Sequence, residues 1–149
     1  MTLRETWGVF MQAIHQGHCL CGAVKYRSDA QVLWAGHCHC DSCRRANSAL
    51  IVSFFGVPRD SVTWTGDIRV YASSHNVQRG FCGTCGAQMY YHTDIWPDET
   101  HLFAATLDDP HQFEPRAHYH YAEKVPCLSV TDDLPKHAHS EDVSEQKIP

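Results

Sequence analysis

Seven of the eight cysteines fall into three tight clusters, and their spacing constrains the fold more than any other feature of the sequence. The clusters are Cys19 and Cys21, then Cys38, Cys40 and Cys43, then Cys82 and Cys85, while Cys127 stands alone. Residues i and i+2 of an extended segment face the same side, so a C-x-C pair presents two sulfurs together. A C-x-x-C turn also gathers two sulfurs, and Gly83 and Gly86 supply the backbone freedom that it needs. This pattern predicts a chain that folds around bound metal.

Two pairs and one triple of cysteines suggest two metal sites of different kinds. Tetrahedral zinc takes four ligands, so two pairs close one structural site, whereas a triple leaves one position free. Thiolate ligands favour zinc over magnesium or calcium. Spacing alone leaves the pairing open, because the triple is also compact enough to form a site by itself. A redox dithiol is the alternative for Cys82 and Cys85, but the strand-to-helix context that it needs is weak there.

The N-terminal sequence and the net charge indicate the cellular compartment of the protein and the classes of partner it is expected to bind. Residues 1–16 lack the apolar run and cleavage site of a signal peptide, and no stretch reaches the ~18 apolar residues that span a bilayer. We therefore expect a cytoplasmic protein whose thiols stay reduced, which favours metal ligands over disulfides. The net charge of −5 gives no general attraction to nucleic acid or acidic membranes, so neither is an expected partner.

The apolar pattern predicts a mainly β fold with at most short helical turns. Of the 149 residues, 43% are apolar, which is enough for one globular domain. Alternating runs typical of strands occupy residues 23–26, 50–55, 61–64, 68–71, 87–91 and 100–105. One or two helical turns are predicted at residues 41–48, where Asp41 can serve as the N-cap. The predicted organisation is a flexible leader (1–16), a zinc-binding domain (17–135) and a polar, disordered tail (136–149).

Three motifs in the same order resemble the glutathione-dependent formaldehyde-activating enzyme family, which also includes centromere protein V. They are GHCLCGAV at residues 17–24, CHCDSCRR at 38–45 and RGFCGTCG at 79–86, and FEP at 113–115 and DDLP at 132–135 resemble its closing segments. The resemblance covers about residues 17–135 and implies small twisted β-sheets organised around two zinc ions. It implies a structural zinc on Cys19, Cys21, Cys82 and Cys85, and a second, catalytic-type zinc on Cys38, Cys40 and Cys43.

The resemblance also implies a reaction, which the chemistry of an open three-thiolate site suits. Three thiolates around one Zn²⁺ leave a net charge of −1, which makes a weak Lewis acid that suits a soft thiol. The implied reaction joins glutathione, or a similar thiol, to formaldehyde or another small aldehyde, and its reverse is a carbon–sulfur lyase step. The expected partners are therefore a small thiol and a small aldehyde. The alternative is a non-catalytic binding module stabilised by two structural zincs.

Several residues near the motifs carry open hypotheses. Cys127 stands where family members usually carry tryptophan, and it is either a small buried hydrophobe or a fourth ligand of the second site. Arg44 and Arg45 either offset thiolate charge, pair with a substrate carboxylate, or form a solvated surface pair. His39 is expected to point away from the sulfurs, where it can carry a proton. The C-terminal histidines are expected to be exposed; they are His118, His120, His137 and His139. The run Met89 to Tyr91 is expected to belong to the core.

Overall fold

The computed structural model describes residues 13–140 and consists mainly of β-strands. These residues form ten strands in two sheets and one short α-helix, so the predicted mainly β fold is confirmed. Short 3₁₀ turns occupy Arg59–Ser61, Ala104–Thr106, Pro110–Gln112 and Tyr121–Glu123. Within the described range, no helix has the length and apolar character needed to span a bilayer.

The smaller sheet has three antiparallel strands and carries the first cysteine pair at one of its turns. Its strands are β1 (His15–His18), β2 (Lys25–Ser28) and β5 (Val62–Thr65), in the order β1-β2-β5. Along β1 and β2 the side chains alternate between buried and exposed, as a strand with one face on a core requires. Tyr26 and Trp64 are paired across β2 and β5, and their rings lie 5.5 Å apart between centroids.

The larger sheet has seven strands in the order β10-β3-β4-β9-β8-β7-β6. These strands are β3 (Trp34–Cys38), β4 (Val52–Pro58), β6 (Ile68–Ser74), β7 (Val77–Cys82), β8 (Gln88–Thr93), β9 (Glu99–Phe103) and β10 (His118–Tyr119). All neighbouring pairs are antiparallel except β10 with β3. The parallel pair places the C-terminal part of the domain beside the strand that ends at Cys38.

The larger sheet separates two apolar clusters, and each cluster contains one group of cysteines. Phe55 on β4 belongs to the cluster that contains Cys19 and Cys82, together with residues of the smaller sheet. The neighbouring Phe54 belongs to the cluster that contains the second cysteine group. Because successive side chains of a strand point to opposite faces, the two cysteine groups lie on opposite sides of β4.

The single α-helix of the described range, α1 (Asp41–Asn47), follows β3 after two residues. Its N-cap is Cys40, whose sulfur accepts a hydrogen bond from the Cys43 backbone N–H. The helix therefore forms where predicted, but Asp41 is its first residue rather than its cap. Ser48, with φ of 50°, ends the helix in the left-handed conformation. The cap places two sulfurs one turn apart at the start of the helix.

Backbone pairing extends past both predicted limits of the domain at residues 17 and 135. His15 and Gln16 pair with β2, and the His137 backbone N–H donates to the His118 carbonyl at 2.8 Å. These residues belong to the predicted leader and tail, respectively. The rest of the leader and tail, residues 1–12 and 141–149, lies outside the described residues.

Candidate metal centres and the adjoining cavity

Four cysteine sulfurs converge between the two sheets. Cys19 and Cys21 come from the turn after β1, whereas Cys82 ends β7 and Cys85 lies in the turn that follows it. All four Sγ atoms lie within 4.8 Å of one another. The Sγ atoms of Cys19 and Cys21 are 3.6 Å apart, and those of Cys21 and Cys82 are 3.8 Å apart. The pairing that the family resemblance implied is thus the one that brings these sulfurs together.

The two turns that carry these cysteines have the same construction. A glycine follows the second cysteine of each pair, and Gly22 and Gly86 both have φ of +77°. That conformation strains other residues, so glycine lets each chain fold back beneath its sulfurs. Backbone N–H groups also point at the first sulfur of each pair, with Val24 donating to Cys19 at 3.2 Å and Cys85 donating to Cys82 at 3.5 Å. Such donors favour the thiolate form that a metal requires.

The other three clustered cysteines form a compact buried group on the opposite side of the larger sheet. Cys38 ends β3, Cys40 caps α1 and Cys43 lies in its first turn, and their Sγ atoms lie within 4.8 Å of one another. Each residue is less than 10% exposed. Hydrogen bonding to the sulfur of Cys40 raises the pKa of Cys38, while hydrogen bonding to Cys38 lowers the pKa of Cys40. Ionisation of one thiol therefore opposes ionisation of its neighbour, and a bound cation would relieve that opposition.

Both groups fit zinc by the chemistry of their donors. Four sulfurs in contact match a closed tetrahedral site, and three sulfurs match a site with one position left for another ligand. An all-sulfur donor set excludes magnesium and calcium, which require oxygen ligands. Cys127 belongs to neither group and is exposed, so both hypotheses for it, a buried hydrophobe and a fourth ligand, are wrong.

A cavity of about 470 Å³ opens beside the three sulfurs. Five aromatic side chains line it; they are Trp34, Phe54, Tyr91, Trp96 and Tyr119. Its polar lining comes from Asp41, Ser42, His101, His120, Glu123 and Ser140. This volume lies within the ~300–1,000 Å³ that is usual for small-molecule sites. Tyr91 was expected to be core, but it is half-buried and faces this space.

Three buried, hydrogen-bonded side chains, which we call the polar trio, lie at one wall of the cavity; they are Trp34, Glu99 and His101. The indole N–H of Trp34 donates to Glu99 Oε2 at 2.9 Å, and His101 Nε2 lies 3.1 Å from the same oxygen. All three side chains are less than 10% exposed. Burial lowers the pKa of His101, and the hydrogen bond to Glu99 opposes that shift only in part. His101 therefore presents a neutral imidazole to the cavity near pH 7.

Two features of the sequence and structure decide the family. A sequence model of the glutathione-dependent formaldehyde-activating enzyme family matches residues 14–123, which is most of the chain. Both cysteine groups of the structure lie within that span. The chain belongs to this family.

Two further proteins are similar to this member of the formaldehyde-activating family. An uncharacterized lyase of Schizosaccharomyces pombe is 31% identical over 77 residues, which are 52% of this chain and 56% of the yeast protein. The match thus spans little more than half of that relative. The crystal structure of a Rhodobacter sphaeroides protein aligns with a TM-score of 0.53 at 24% identity, covering 68% of this chain and 92% of that one. At this identity the likeness shows a shared fold.

In this family member, the histidine between Cys38 and Cys40 forms a hydrogen-bonded relay with a second buried histidine, His118, and with Asp132 at the surface. His39 Nε2 and His118 Nδ1 are 2.8 Å apart, and His118 Nε2 lies 2.9 Å from Asp132 Oδ2. Burial lowers the pKa of His39 to about 4, assisted by neighbouring His118. The expectation that His118 is exposed is wrong, because the side chain is held inside by these two partners. The relay ties the loop between Cys38 and Cys40 to the closing DDLP motif.

The other three histidines that were expected to be exposed differ in their solvent exposure. His137 is half-buried and stacks on Tyr119, with centroids 5.8 Å apart, so the expectation of exposure is wrong for it. The same expectation is wrong for His120, which is half-buried at the cavity, 3.5 Å from Glu123 Oε1. His139 is exposed, as expected.

The arginines near the cysteine triple contact groups other than the cysteine sulfurs. Arg45 Nε lies 2.9 Å from Asp41 Oδ2, and Arg44 donates to the His39 carbonyl at 3.2 Å while approaching Asp41 at 3.4 Å. A third arginine, Arg79, is buried, with its guanidinium carbon 5.1 Å from the centroid of the Tyr91 ring. Its position was not predicted, although the family motif at residues 79–86 begins with it.

Proposed function

We propose that this protein is a zinc-dependent carbon–sulfur lyase that forms or cleaves adducts of a small thiol and a small aldehyde. The observation that carries the proposal is the group of three converging sulfurs that opens on a lined cavity. Family membership supports it, and so does the name of the yeast relative, an uncharacterized lyase. Glutathione or a similar thiol, with formaldehyde or a similar aldehyde, defines the substrate class.

The cysteines would hold two zinc ions with different tasks. Cys19, Cys21, Cys82 and Cys85 would hold a structural ion, and Cys38, Cys40 and Cys43 would hold a second one. A zinc ion with one free position supplies a Lewis acid that favours the thiolate form of a thiol. The aromatic walls of the cavity would exclude water and hold the organic parts of the adduct.

His101 lines the same cavity as the three sulfurs and would carry the proton in the lyase direction. Cleavage breaks the carbon–sulfur bond, whose electron pair stays on sulfur, while the O–H electron pair of the adduct becomes the second bond of the aldehyde carbonyl. The hydroxyl proton passes to the neutral imidazole of His101 and then to the departing sulfur, so the imidazole is regenerated. Glu99 would stabilise the transient imidazolium through its hydrogen bond to Nε2.

Thiol–aldehyde adducts also form without an enzyme, so the test must compare the rate of adduct formation and cleavage with and without the protein. NMR exchange spectroscopy measures that rate. The rate of exchange between hydrated formaldehyde and its thiol adduct is measured by NMR, with glutathione and with benzyl mercaptan. We expect the wild-type protein to accelerate exchange with at least one thiol, and Cys43→Ser to abolish the acceleration. Cys127→Ser is the matched control, since Cys127 is exposed and distant from both sulfur groups.

Two results would overturn the lyase proposal. Acceleration that survives Cys43→Ser would separate the reaction from the cysteine triple. A wild-type protein that holds two zinc ions by native mass but accelerates no exchange would instead favour the alternative, a zinc-stabilised binding module.

A further inference from the structure

We infer that Arg79 binds a carboxylate of the thiol substrate, in a second cavity that adjoins the one beside the cysteine triple. This inference rests on the proposed function, because it assumes that the thiol sulfur binds at Cys38, Cys40 and Cys43. Within that function it assigns a residue that determines specificity.

The second cavity shares part of its wall with the first. It has a volume of about 810 Å³, which lies within the ~300–1,000 Å³ that is usual for small-molecule sites. Asp41, Ser42 and Tyr91 line both cavities. A flexible ligand whose sulfur lies beside the cysteine triple can therefore extend its other end along these residues into the second cavity.

Arg79 is held at the second cavity by its neighbours in the larger sheet. On β7 it pairs with Tyr91 of β8 and Tyr71 of β6, and all three residues line the cavity. Its Nε donates to Ser73 Oγ at 3.1 Å, and its guanidinium carbon lies 5.1 Å from the centroid of the Tyr91 ring. These contacts orient the guanidinium through its Nε and its face, and they involve neither of its terminal nitrogens.

The charge of Arg79 is buried and lacks a partner among residues 13–140. The residue is 6% exposed, and its Nη1 has no hydrogen-bond partner in that range. The only carboxylate of the described residues that lines this cavity is Asp41, which Arg44 and Arg45 both engage on the helix surface. A buried guanidinium without a counter-ion costs free energy, and an anion bound in the cavity would offset that cost.

A carboxylate next to an N–H group is the anion that this lining suits. The guanidinium fork matches a carboxylate through two parallel hydrogen bonds. The hydroxyls of Ser42, Ser73 and Ser74 line the cavity and supply further donors. Gln88 lines it too, and its buried Oε1 is an acceptor without a partner among the described residues. Amino acids and peptides carry an N–H beside their carboxylate, so a peptide-type thiol fits both unpartnered groups.

A matched pair of thiols isolates the contribution of the carboxylates. Glutathione and its diamide, in which both carboxylates are replaced by primary amides, have the same thiol and nearly the same shape. Their dissociation constants are measured by titration calorimetry on the zinc-loaded protein. We expect glutathione to bind about tenfold or more tightly than the diamide, because hydrogen bonds between charged partners are the stronger ones. The net charge of −5 would by itself favour the diamide, so this preference requires a local cation.

Two arginines of the cavity are compared to assign the preference. Arg79→Gln should remove most of it, whereas Arg79→Lys should keep part of it, because the charge remains without the fork. Arg45→Gln is the matched control, because Arg45 lines the same cavity but its exposed side chain is paired with Asp41 at 2.9 Å. It should change the preference by less than about twofold. Thermal unfolding and native mass verify that each variant is folded and holds its zinc, and the wild-type comparison stands without any variant.

The outcomes separate this inference from the lyase proposal. Equal affinity of the wild-type protein for the two thiols, or binding of neither, overturns the inference, while the NMR exchange assay decides the lyase step independently. With equal affinity, Arg79 would serve as counter-charge to the metal-bound thiolates, which with one zinc ion would carry a net charge of −1. A preference that is lost in Arg45→Gln and kept in Arg79→Gln also overturns the assignment. The expected preference without any acceleration of exchange would support the carboxylate site and overturn the lyase proposal alone.

Discussion

Replacing one cysteine of each group should destabilise the protein to different extents, because only one group links distant parts of the chain. The sulfurs of Cys21 and Cys82 are 3.8 Å apart although 61 residues separate them in sequence. Cys21 follows β1 of the smaller sheet and Cys82 ends β7 of the larger sheet, so a metal held there would cross-link the two sheets. The other group lies within residues 38–43 and closes a short local loop.

The expected magnitudes follow from the entropy of loop closure. The chain-entropy relation for a cross-link gives about 4 kcal/mol for a loop of ~60 residues and about 2 kcal/mol for a loop of ~5 residues. Cys82→Ser should therefore lower the free energy of unfolding by about 4 kcal/mol, and Cys43→Ser by about 2 kcal/mol. Small domains are stable by only ~5–15 kcal/mol, so the first variant should be close to unfolding.

Urea unfolding of the zinc-loaded proteins, followed by tryptophan fluorescence, measures both losses. Native mass determines how many zinc ions each variant retains, and Cys127→Ser provides the control for removing an unclustered thiol. A Cys43→Ser variant that is as unstable as Cys82→Ser would refute the division into a cross-linking centre and a local one. Loss of both zinc ions in the Cys43→Ser variant would point to the same conclusion, because the two groups would then not act as separate centres.

Three other substitutions test separate parts of the structure. Gly86→Ala should cost about 1–2 kcal/mol in urea unfolding from backbone strain alone, because φ is +77° and no atom lies within 4 Å of an added Cβ. Burial lowers the pKa of His92 to about 4, whereas the unfolded chain titrates near 6.5. Stability should therefore fall as pH drops from about 6.5 to 4, and His92→Gln should reduce that slope in urea titrations at several pH values. His101→Gln should slow adduct exchange in the NMR assay without changing the number of zinc ions bound, as counted by native mass.

Strands with clear alternation could be predicted from sequence, whereas strands interrupted by glycine could not. The runs at 50–55, 68–71 and 87–91 became β4, β6 and β8 with shifted ends. β3 was missed because its sequence, WAGHC, is buried at four of five positions and does not alternate. Pairing on both edges, with β10 and β4, makes this segment a strand. That information is not local to the segment.

The cysteine groups were predictable because each cluster is set by spacing within a few residues. The polar trio of Trp34, Glu99 and His101 could not be predicted from the sequence, because its contacts depend on the register of three strands. Trp34 on β3 and His101 on β9 both pair with Gly56 on β4. A Cβ on Gly56 would lie 2.2 Å from Trp34 Nε1, so glycine makes room for the two rings to meet across the central strand. The one local signal was a glutamate and a histidine at i and i+2, which places both side chains on one face of β9.

At the two candidate metal centres, the more exposed cysteines are not the ones that would leave a metal position free for a ligand. Cys21 is exposed and Cys85 is half-exposed, yet four sulfurs would leave no position for a further ligand. The three cysteines of the other group are buried, yet their set is incomplete and faces a cavity with apolar walls. Because alternate side chains of β4 face the two centres, residues such as Phe54 can change the cavity while Phe55 keeps its place in the opposite core. The sheet thus lets the lining of the cavity vary without disturbing the core on its opposite face.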